Sequence, residues 1–140
     1  MSRDFNLYLD DMLEAIRAIR EYTGGMTFES FATDRKTIDA VVRNLEIIGE
    51  AARNLPDEIK DNNADIEWRK IVGLRNLLIH EYFGISKPVV WDIVQSKLDL
   101  LERFCSRQLS LYRVSAPPLM RAVSMNDVLS GCWGCWVGPS

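Results

Sequence analysis

Residues able to act on a phosphate ester lie close together on one predicted helix. Arg75, His80 and Tyr82 span about two helical turns, and His80 is the only histidine of the chain. A guanidinium is permanently charged and can bind a phosphate through two parallel hydrogen bonds. An imidazole has an unperturbed pKa near ~6.5 and can transfer protons at neutral pH. The segment therefore indicates a site for phosphate chemistry.

The helical spacing places Arg75 among apolar residues. At about 100° per residue, it shares a stripe with several large side chains. They are Trp68, Ile71, Val72, Leu78, Ile79 and Tyr82. A charge on such a face is seldom buried without a partner, because uncompensated burial costs at least several kcal/mol. Either an acidic residue covers Arg75, or this face is the wall of a cleft that receives an anion.

His80 lies on a different side of the same helix, about 140° round from Arg75. Asn76 and His80 are four residues apart and can touch. Arg75 reaches His80 only if its side chain wraps round the helix, or if the helix loosens before Gly84. A purely structural interpretation stays open, in which the histidine caps the helix dipole and the arginine belongs to an ion pair.

Length and composition are those of one ordinary globular domain, and no second domain is required. The chain has 140 residues, of which 47 % are apolar and 26 % charged, with a net charge of -3. The chain has no overall positive charge that would indicate binding to nucleic acid, so any anion site must be local. The net charge therefore neither supports nor excludes an RNA substrate. Residues 1–4 lack the apolar run of a signal peptide, and no stretch reaches the ~18 apolar residues of a membrane span. We therefore expect a cytoplasmic protein without membrane contact.

The cysteines do not form a recognisable metal or disulfide pattern. There are three, an odd number. Cys132 and Cys135 have CxxC spacing, but there is no second pair and His80 is distant, whereas zinc takes four ligands. We expect no metal and no cofactor.

Apolar periodicity is helical nearly throughout residues 1–114 and predicts an all-α fold. Four long helices are expected, over Asp4–Tyr22, from Thr33 or Asp34 to just before Pro56, over Glu67–Phe83, and from Ser86 to about Tyr112. Short turns carry residues 27–32 and 56–63. The prediction is an up-down bundle of four or five helices in residues 1–114. Residues 115–140 form a tail with no role that can be derived.

The second long helix supplies candidate partners for Arg75. Glu46 and Arg53 flank its apolar stripe, and Glu50 lies slightly further round. We expect Glu46 and Glu50 to support either Arg75 or a bound substrate. Small residues near them, including Gly49, permit close packing of helices.

The motif segments resemble a known family. Residues 68–76 and 80–84 are similar to the signature of the HEPN superfamily, and specifically of the HepT toxins. The family motif is arginine, four residues, histidine, one residue and tyrosine, and it is complete here as Arg75, His80 and Tyr82. Residues 44–52 also resemble the second helix of the family, and the resemblance extends over roughly residues 1–112.

This resemblance implies a HEPN bundle that acts as a metal-independent endoribonuclease in a toxin–antitoxin pair. Arg75 and His80 would be catalytic, and Asn76 would support them. The antitoxin would be a minimal nucleotidyltransferase that binds the toxin and transfers AMP to Tyr82. Since one chain has a single histidine, while a general base and a general acid are both needed, we expect a homodimer or a higher even oligomer with a shared cleft. The alternative is that Tyr82 or water supplies the second proton.

Two other functions fit the same helices. In the first, the chain is a non-catalytic HEPN scaffold or substrate-binding partner of a nucleotidyltransferase, with Arg75 paired to Glu46 or Glu50 and His80 acting as a cap. In the second, it is a plain helical interaction module without a link to RNA. The second leaves the closely spaced motif unexplained.

Overall fold

The computed structural model describes residues 4–80 and 84–115, except for the side chains of His80 and of residues 113–115. The helices are α1 (Phe5–Thr23), α2 (Phe28–Thr33), α3 (Arg35–Asn54), α4 (Asp57–Asp61), α5 (Trp68–His80), α6 (Lys87–Asp92), a π-helical segment (Ile93–Lys97) and α7 (Leu98–Ser115). This part of the chain contains no strand, which confirms the predicted all-α bundle. None of these helices is both long and apolar enough to cross a membrane.

The chain divides into two compact units, Met1–Leu109 and Ser110–Ser140. The packing and the candidate site described below belong to the first unit. The second contributes the end of α7 to the described residues. Because 116–140 fall outside them, the predicted division at residue 114 and the predictions about the tail, with Cys132 and Cys135, stay predictions.

Side chains fix where the helices begin. The Asp4 carboxylate accepts from the Asn6 backbone N–H at 3.2 Å. At the start of α3, the Asp34 carboxylate accepts from the Thr37 N–H at 3.1 Å, so Asp34 is the N-cap of the two candidates. Hydrogen bonds from the backbone and hydroxyl of Thr37 lower the pKa of Asp34. Pro88 occupies the first turn of α6, where its missing N–H costs no helical hydrogen bond.

Helix α3 packs between α1 and α5 and carries much of the core. Fully or almost fully buried side chains of α1 and α3 form its centre, namely Leu9, Met12, Ile16, Ile19, Val41, Leu45 and Ile48. Burying each large apolar side chain contributes roughly 1.5–3 kcal/mol. The Trp68 ring meets Phe104 of α7 edge-on, with centroids 5.1 Å apart. This ring contact packs the start of α5, the helix that carries the motif, against α7, and α5 also packs along α3.

The helix predicted to run without interruption from Ser86 to Tyr112 contains the π-helical segment Ile93–Lys97. The sequence does not reveal it, because a spacing of four between Val90, Val94 and Leu98 suits either kind of helix. All three side chains are buried. The prediction of one regular helix is therefore wrong in this one turn.

Candidate active site

Arg75 lies on the face of α5 that packs against α3. Its side chain is 30 % exposed. The Arg75 Nε atom is 2.6 Å from the Glu50 Oε2 atom, and Arg75 Nη1 donates to the Asn76 Oδ1 atom at 3.2 Å. The Glu50 Oε2 atom is itself buried, although the rest of the side chain is partly exposed. Within the described residues no hydrogen-bond donor is well aligned on this atom, so the contact with Arg75 is an ion pair without a good hydrogen bond. Arg75 thus has an acidic neighbour and an amide neighbour.

A groove of about 260 Å³ opens beside Arg75. Helices α1, α3 and α5 all contribute to it, and its polar lining is Tyr8, Asp11, Arg43, Glu46, Glu50 and Arg75. The Arg43 Nη1 atom lies 3.4 Å from the Glu46 Oε2 atom. The groove is thus lined by two cationic and three acidic side chains, and among the described residues Arg75 is its only cation from the motif helix. Of the two alternatives drawn from the position of Arg75, the acidic contact is present, and the same face borders a groove. That this groove receives an anion stays a prediction.

The apolar stripe predicted around Arg75 divides between core and groove. Trp68 and Leu78 are buried, at 8 % and 1 % exposure. Ile79 is 45 % exposed and lines the groove beside Arg75. Within the motif segment, Leu78 therefore belongs to the core, whereas Ile79 forms part of the groove wall.

His80 is the last described residue of α5, and only its backbone is described. It follows Arg75 by five positions, which corresponds to about 7.5 Å along the helix axis. Tyr82 lies outside the described residues. The structure brings Arg75, Asn76 and Glu50 together, while the approach of His80 and Tyr82 to them stays a prediction.

The residues expected to support Arg75 behave differently from one another. Glu50 contacts Arg75, and its side chain is 47 % exposed. Glu46 contacts Arg43 instead, although it lines the same groove. Arg53 is exposed, and its backbone carbonyl accepts from the Lys60 Nζ atom at 3.4 Å.

Three groove residues were not anticipated from the sequence. Tyr8 and Asp11 come from α1, and Arg43 from α3. A signal existed for Arg43, because it lies three and seven residues before Glu46 and Glu50 and so shares their helix face. Nothing local marks Tyr8 or Asp11, since their position depends on how α1 packs against α3.

Comparison with known proteins identifies the family to which this helical bundle belongs. Residues 12–108 match the family described as Ribonuclease HepT-like. The match covers well over half of the chain, so the chain belongs to this family, and the resemblance drawn from the motif is confirmed.

Relatives support the assignment. "Probable ribonuclease HepT" of Thermococcus cleftensis is 43 % identical over 102 residues, which cover 73 % of this chain and 93 % of the relative. "Putative RNase MJ0127" of Methanocaldococcus jannaschii is 43 % identical over 96 residues, covering 69 % of this chain and 79 % of the relative. No solved structure gives a significant match.

Proposed function

We propose that the protein is a metal-independent endoribonuclease toxin. The observation that carries this proposal is the partly exposed Arg75 guanidinium, which borders a groove and lies next to Asn76 on the motif helix of a HepT-like ribonuclease. In the reaction, the RNA 2'-OH attacks the adjacent phosphorus and the 5'-oxygen leaves. The products are a 2',3'-cyclic phosphate and a 5'-hydroxyl, and no metal ion is needed for the nucleophile.

Each motif residue has a distinct task in this reaction. Arg75 stabilises the charge that develops on the phosphorane oxygens, and Asn76 orients the guanidinium or donates to the substrate. His80 transfers a proton to or from the reacting oxygens. Glu50 holds Arg75 in the free enzyme, and the substrate phosphate takes its place. Such an exchange is feasible because both side chains are partly exposed, and ion pairs at exposed positions contribute only about 0–1 kcal/mol.

A homodimer completes the proton transfers. One imidazole cannot act as base and acid in the same step, whereas an isologous interface brings two copies of the same surface together. We infer that two α5 helices meet at a shared cleft that contains both His80 and both Arg75 side chains.

The proposed antitoxin is a minimal nucleotidyltransferase that transfers AMP to Tyr82. A phosphate-linked nucleotide two residues from His80 would compete with RNA for Arg75 and block the cleft. RNA and this antitoxin are thus the proposed partners, and the cytoplasm is the proposed location.

One observation favours the alternative of a non-catalytic scaffold. The Arg75–Glu50 ion pair is what a structural arginine would show. In that case the guanidinium would stabilise the contact between α3 and α5, and RNA would not be cleaved.

Incubation of the purified protein with single-stranded RNA in excess chelator separates the two functions. We expect cleavage that leaves a 2',3'-cyclic phosphate, with a loss of about 10²- to 10⁴-fold in His80→Ala. Lys36→Met, which removes an exposed charge outside the groove, is the matched control. Absence of cleavage by the wild-type protein, or equal cleavage by His80→Ala, contradicts the proposal.

A further inference from the structure

The exposed face of α3 carries a line of charged residues that ends at the candidate active site. Its members are Arg35, Asp39, Arg43, Glu46 and Glu50, at intervals of four, four, three and four residues. Arg35 Nε lies 3.9 Å from Asp39 Oδ2, the long limit of an ion pair. By itself this is an ordinary solvated helix face, because pairs at such spacing form readily and weakly.

A second groove lies along this face and offers a place for a ligand to bind. It has a volume of about 830 Å³ and runs beside the first half of α3. It shares Arg43 and Glu46 with the groove at Arg75, so the two lie end to end along one helix. Arg35 and Glu50 are fifteen positions apart, which corresponds to ~22 Å along the helix.

Cations stand on both sides of this second groove. Arg35 on α3 is 85 % exposed and Arg43 is 72 % exposed. Lys87, at the start of α6, lines the other side. The Lys87 Nζ atom donates to the Ala32 carbonyl at 2.8 Å. An ammonium has three donors, so this contact positions Lys87 while leaving capacity for a phosphate oxygen.

The floor between these cations is apolar. Ile38, Val42 and Ile85 line it. Three cations and two acidic residues, Asp39 and Glu46, thus surround an aliphatic floor. Single-stranded nucleic acid offers matching groups, because its phosphates can meet the cations while its bases lie over apolar side chains. Asp39 and Glu46 lie against Arg35 and Arg43, so the cations outnumber the acidic groups of this groove by one.

We propose that the groove lined by Arg35, Arg43 and Lys87 is a binding subsite for the RNA strand that flanks the scissile phosphate. Arg35 and Lys87 contact backbone phosphates, and Arg43 lies where the strand passes into the Arg75 groove. The inference rests on the proposed ribonuclease function. It adds that substrate affinity depends on nucleotides beyond the cleaved bond.

Cleavage kinetics on two substrate lengths test the subsite. The double variant Arg35→Gln/Lys87→Met is compared with Arg17→Gln/Lys36→Met, which removes the same charge from exposed positions outside both grooves. On a longer single-stranded RNA, each groove substitution should raise KM roughly twofold to fivefold, and the pair about tenfold. The kcat value should not change, nor should cleavage of a dinucleotide. The control variant should behave as the wild type on both.

The salt dependence of binding provides an independent readout. With His80→Ala as a non-cleaving background, the slope of log K against log salt for the longer RNA should fall by about 0.7 for each lost phosphate contact. The control substitutions should leave the slope unchanged.

Failure of the subsite differs from failure of the proposed function. If the wild-type protein cleaves neither substrate, the ribonuclease proposal falls and the subsite with it. If the wild type cleaves both and the groove variant matches its control, only the subsite is overturned. If the groove variant cleaves RNA with unchanged kinetics but is inhibited less by the nucleotidyltransferase, the RNA subsite is overturned and the groove is a docking surface for a protein. Because Lys87 also contacts Ala32, Arg35→Gln alone decides the result if the double variant does not fold.

Discussion

The side chain of Arg75 rests directly on the backbone of Gly49. A Cβ atom added to Gly49 would stand 2.8 Å from the Arg75 Cβ atom and 3.1 Å from the Ile71 carbonyl oxygen. The first distance is shorter than ordinary van der Waals contact, so the helices can approach this closely only with glycine at position 49. The motif arginine is thus positioned by a residue without a side chain on the neighbouring helix.

Gly49→Ala should therefore destabilise the fold and weaken cleavage together. Overpacking at the contact costs roughly 1–3 kcal/mol, which exceeds the gain of up to ~1 kcal/mol from replacing glycine inside a helix. Displacing Arg75 should also lower kcat. Urea unfolding gives the change in free energy, and cleavage of RNA gives kcat.

Gly73→Ala is the matched control, since it makes the same change inside α5. A Cβ atom there would meet nothing within 4 Å. Its free energy of unfolding should rise by about 0.5–1 kcal/mol. Equal stability changes in the two variants would show that the Gly49–Arg75 contact does not limit the approach of the helices.

Substitution of Glu50 should distinguish a functional arginine from a structural one. Because the two side chains are 47 % and 30 % exposed, Glu50→Gln should change the free energy of unfolding by less than about 1 kcal/mol. A loss of several kcal/mol would mean that the ion pair holds the helices together, as the scaffold function requires. Thermal or urea unfolding measures this directly.

Arg75→Lys should lose most of the cleavage activity although the charge is kept. An ammonium cannot reproduce the two-pronged contact of a guanidinium with a phosphate. We expect kcat to fall at least tenfold, and roughly 10²- to 10³-fold in Arg75→Ala, by analogy with the loss of one donor to a developing oxyanion. Cleavage by Arg75→Lys at the wild-type rate would contradict the role assigned to the guanidinium.

Local signals predicted the helices well. The capping side chain of Asp34 and the proline at position 88 depend on neighbours a few residues away, so their effects can be derived from sequence. The core face of α3 follows from its apolar spacing. The π-helical turn at Ile93–Lys97 does not, because the spacing of Val90, Val94 and Leu98 suits both helix types.

The candidate site was only partly predictable. The motif identified Arg75 and Asn76, and the helix face of α3 suggested Glu46 and Glu50. The pairing of Glu50, and not Glu46, with Arg75 depends on how far α3 and α5 are offset along their axes. In this arrangement Gly49, next to Glu50, is the point of close contact with Arg75. Tyr8 and Asp11 line the groove because of the way α1 packs against α3, and no local sequence pattern predicts that packing.

Tyr82→Phe should separate cleavage from inhibition. The phenol oxygen is the proposed acceptor of AMP, so its removal should prevent modification by the nucleotidyltransferase. Because proton transfer is assigned to His80, RNA cleavage should stay near the wild-type rate. Mass spectrometry after incubation with the antitoxin and ATP should show no added AMP. Tyr112→Phe is the control, and an adduct that persists in Tyr82→Phe would place the modification elsewhere.

Cys105 should be chemically inert in the folded protein. It is 0 % exposed, and burial raises the pKa of its thiol to about 12, with smaller contributions from Glu102 and Asp10. Since the thiolate is the reactive species, the shift from the ordinary 9.0 should slow alkylation about 10³-fold. The measurement uses iodoacetamide on a variant in which Cys132 and Cys135 are serine. Rapid alkylation without denaturant would contradict the burial of Cys105.

The same thiol should make the fold less stable in alkali. Its pKa is raised in the folded state, so its contribution to stability is complete below about 9.0 and declines progressively as the pH rises towards about 12. The reason is that the unfolded chain can ionise the thiol freely, whereas the folded chain cannot. In Cys105→Ala this part of the decline should vanish, while ionisation of the remaining groups continues in both proteins. Urea unfolding of the two proteins at several pH values above 9.0 measures the difference, and parallel curves would show that the thiol ionises as readily in the core as in water.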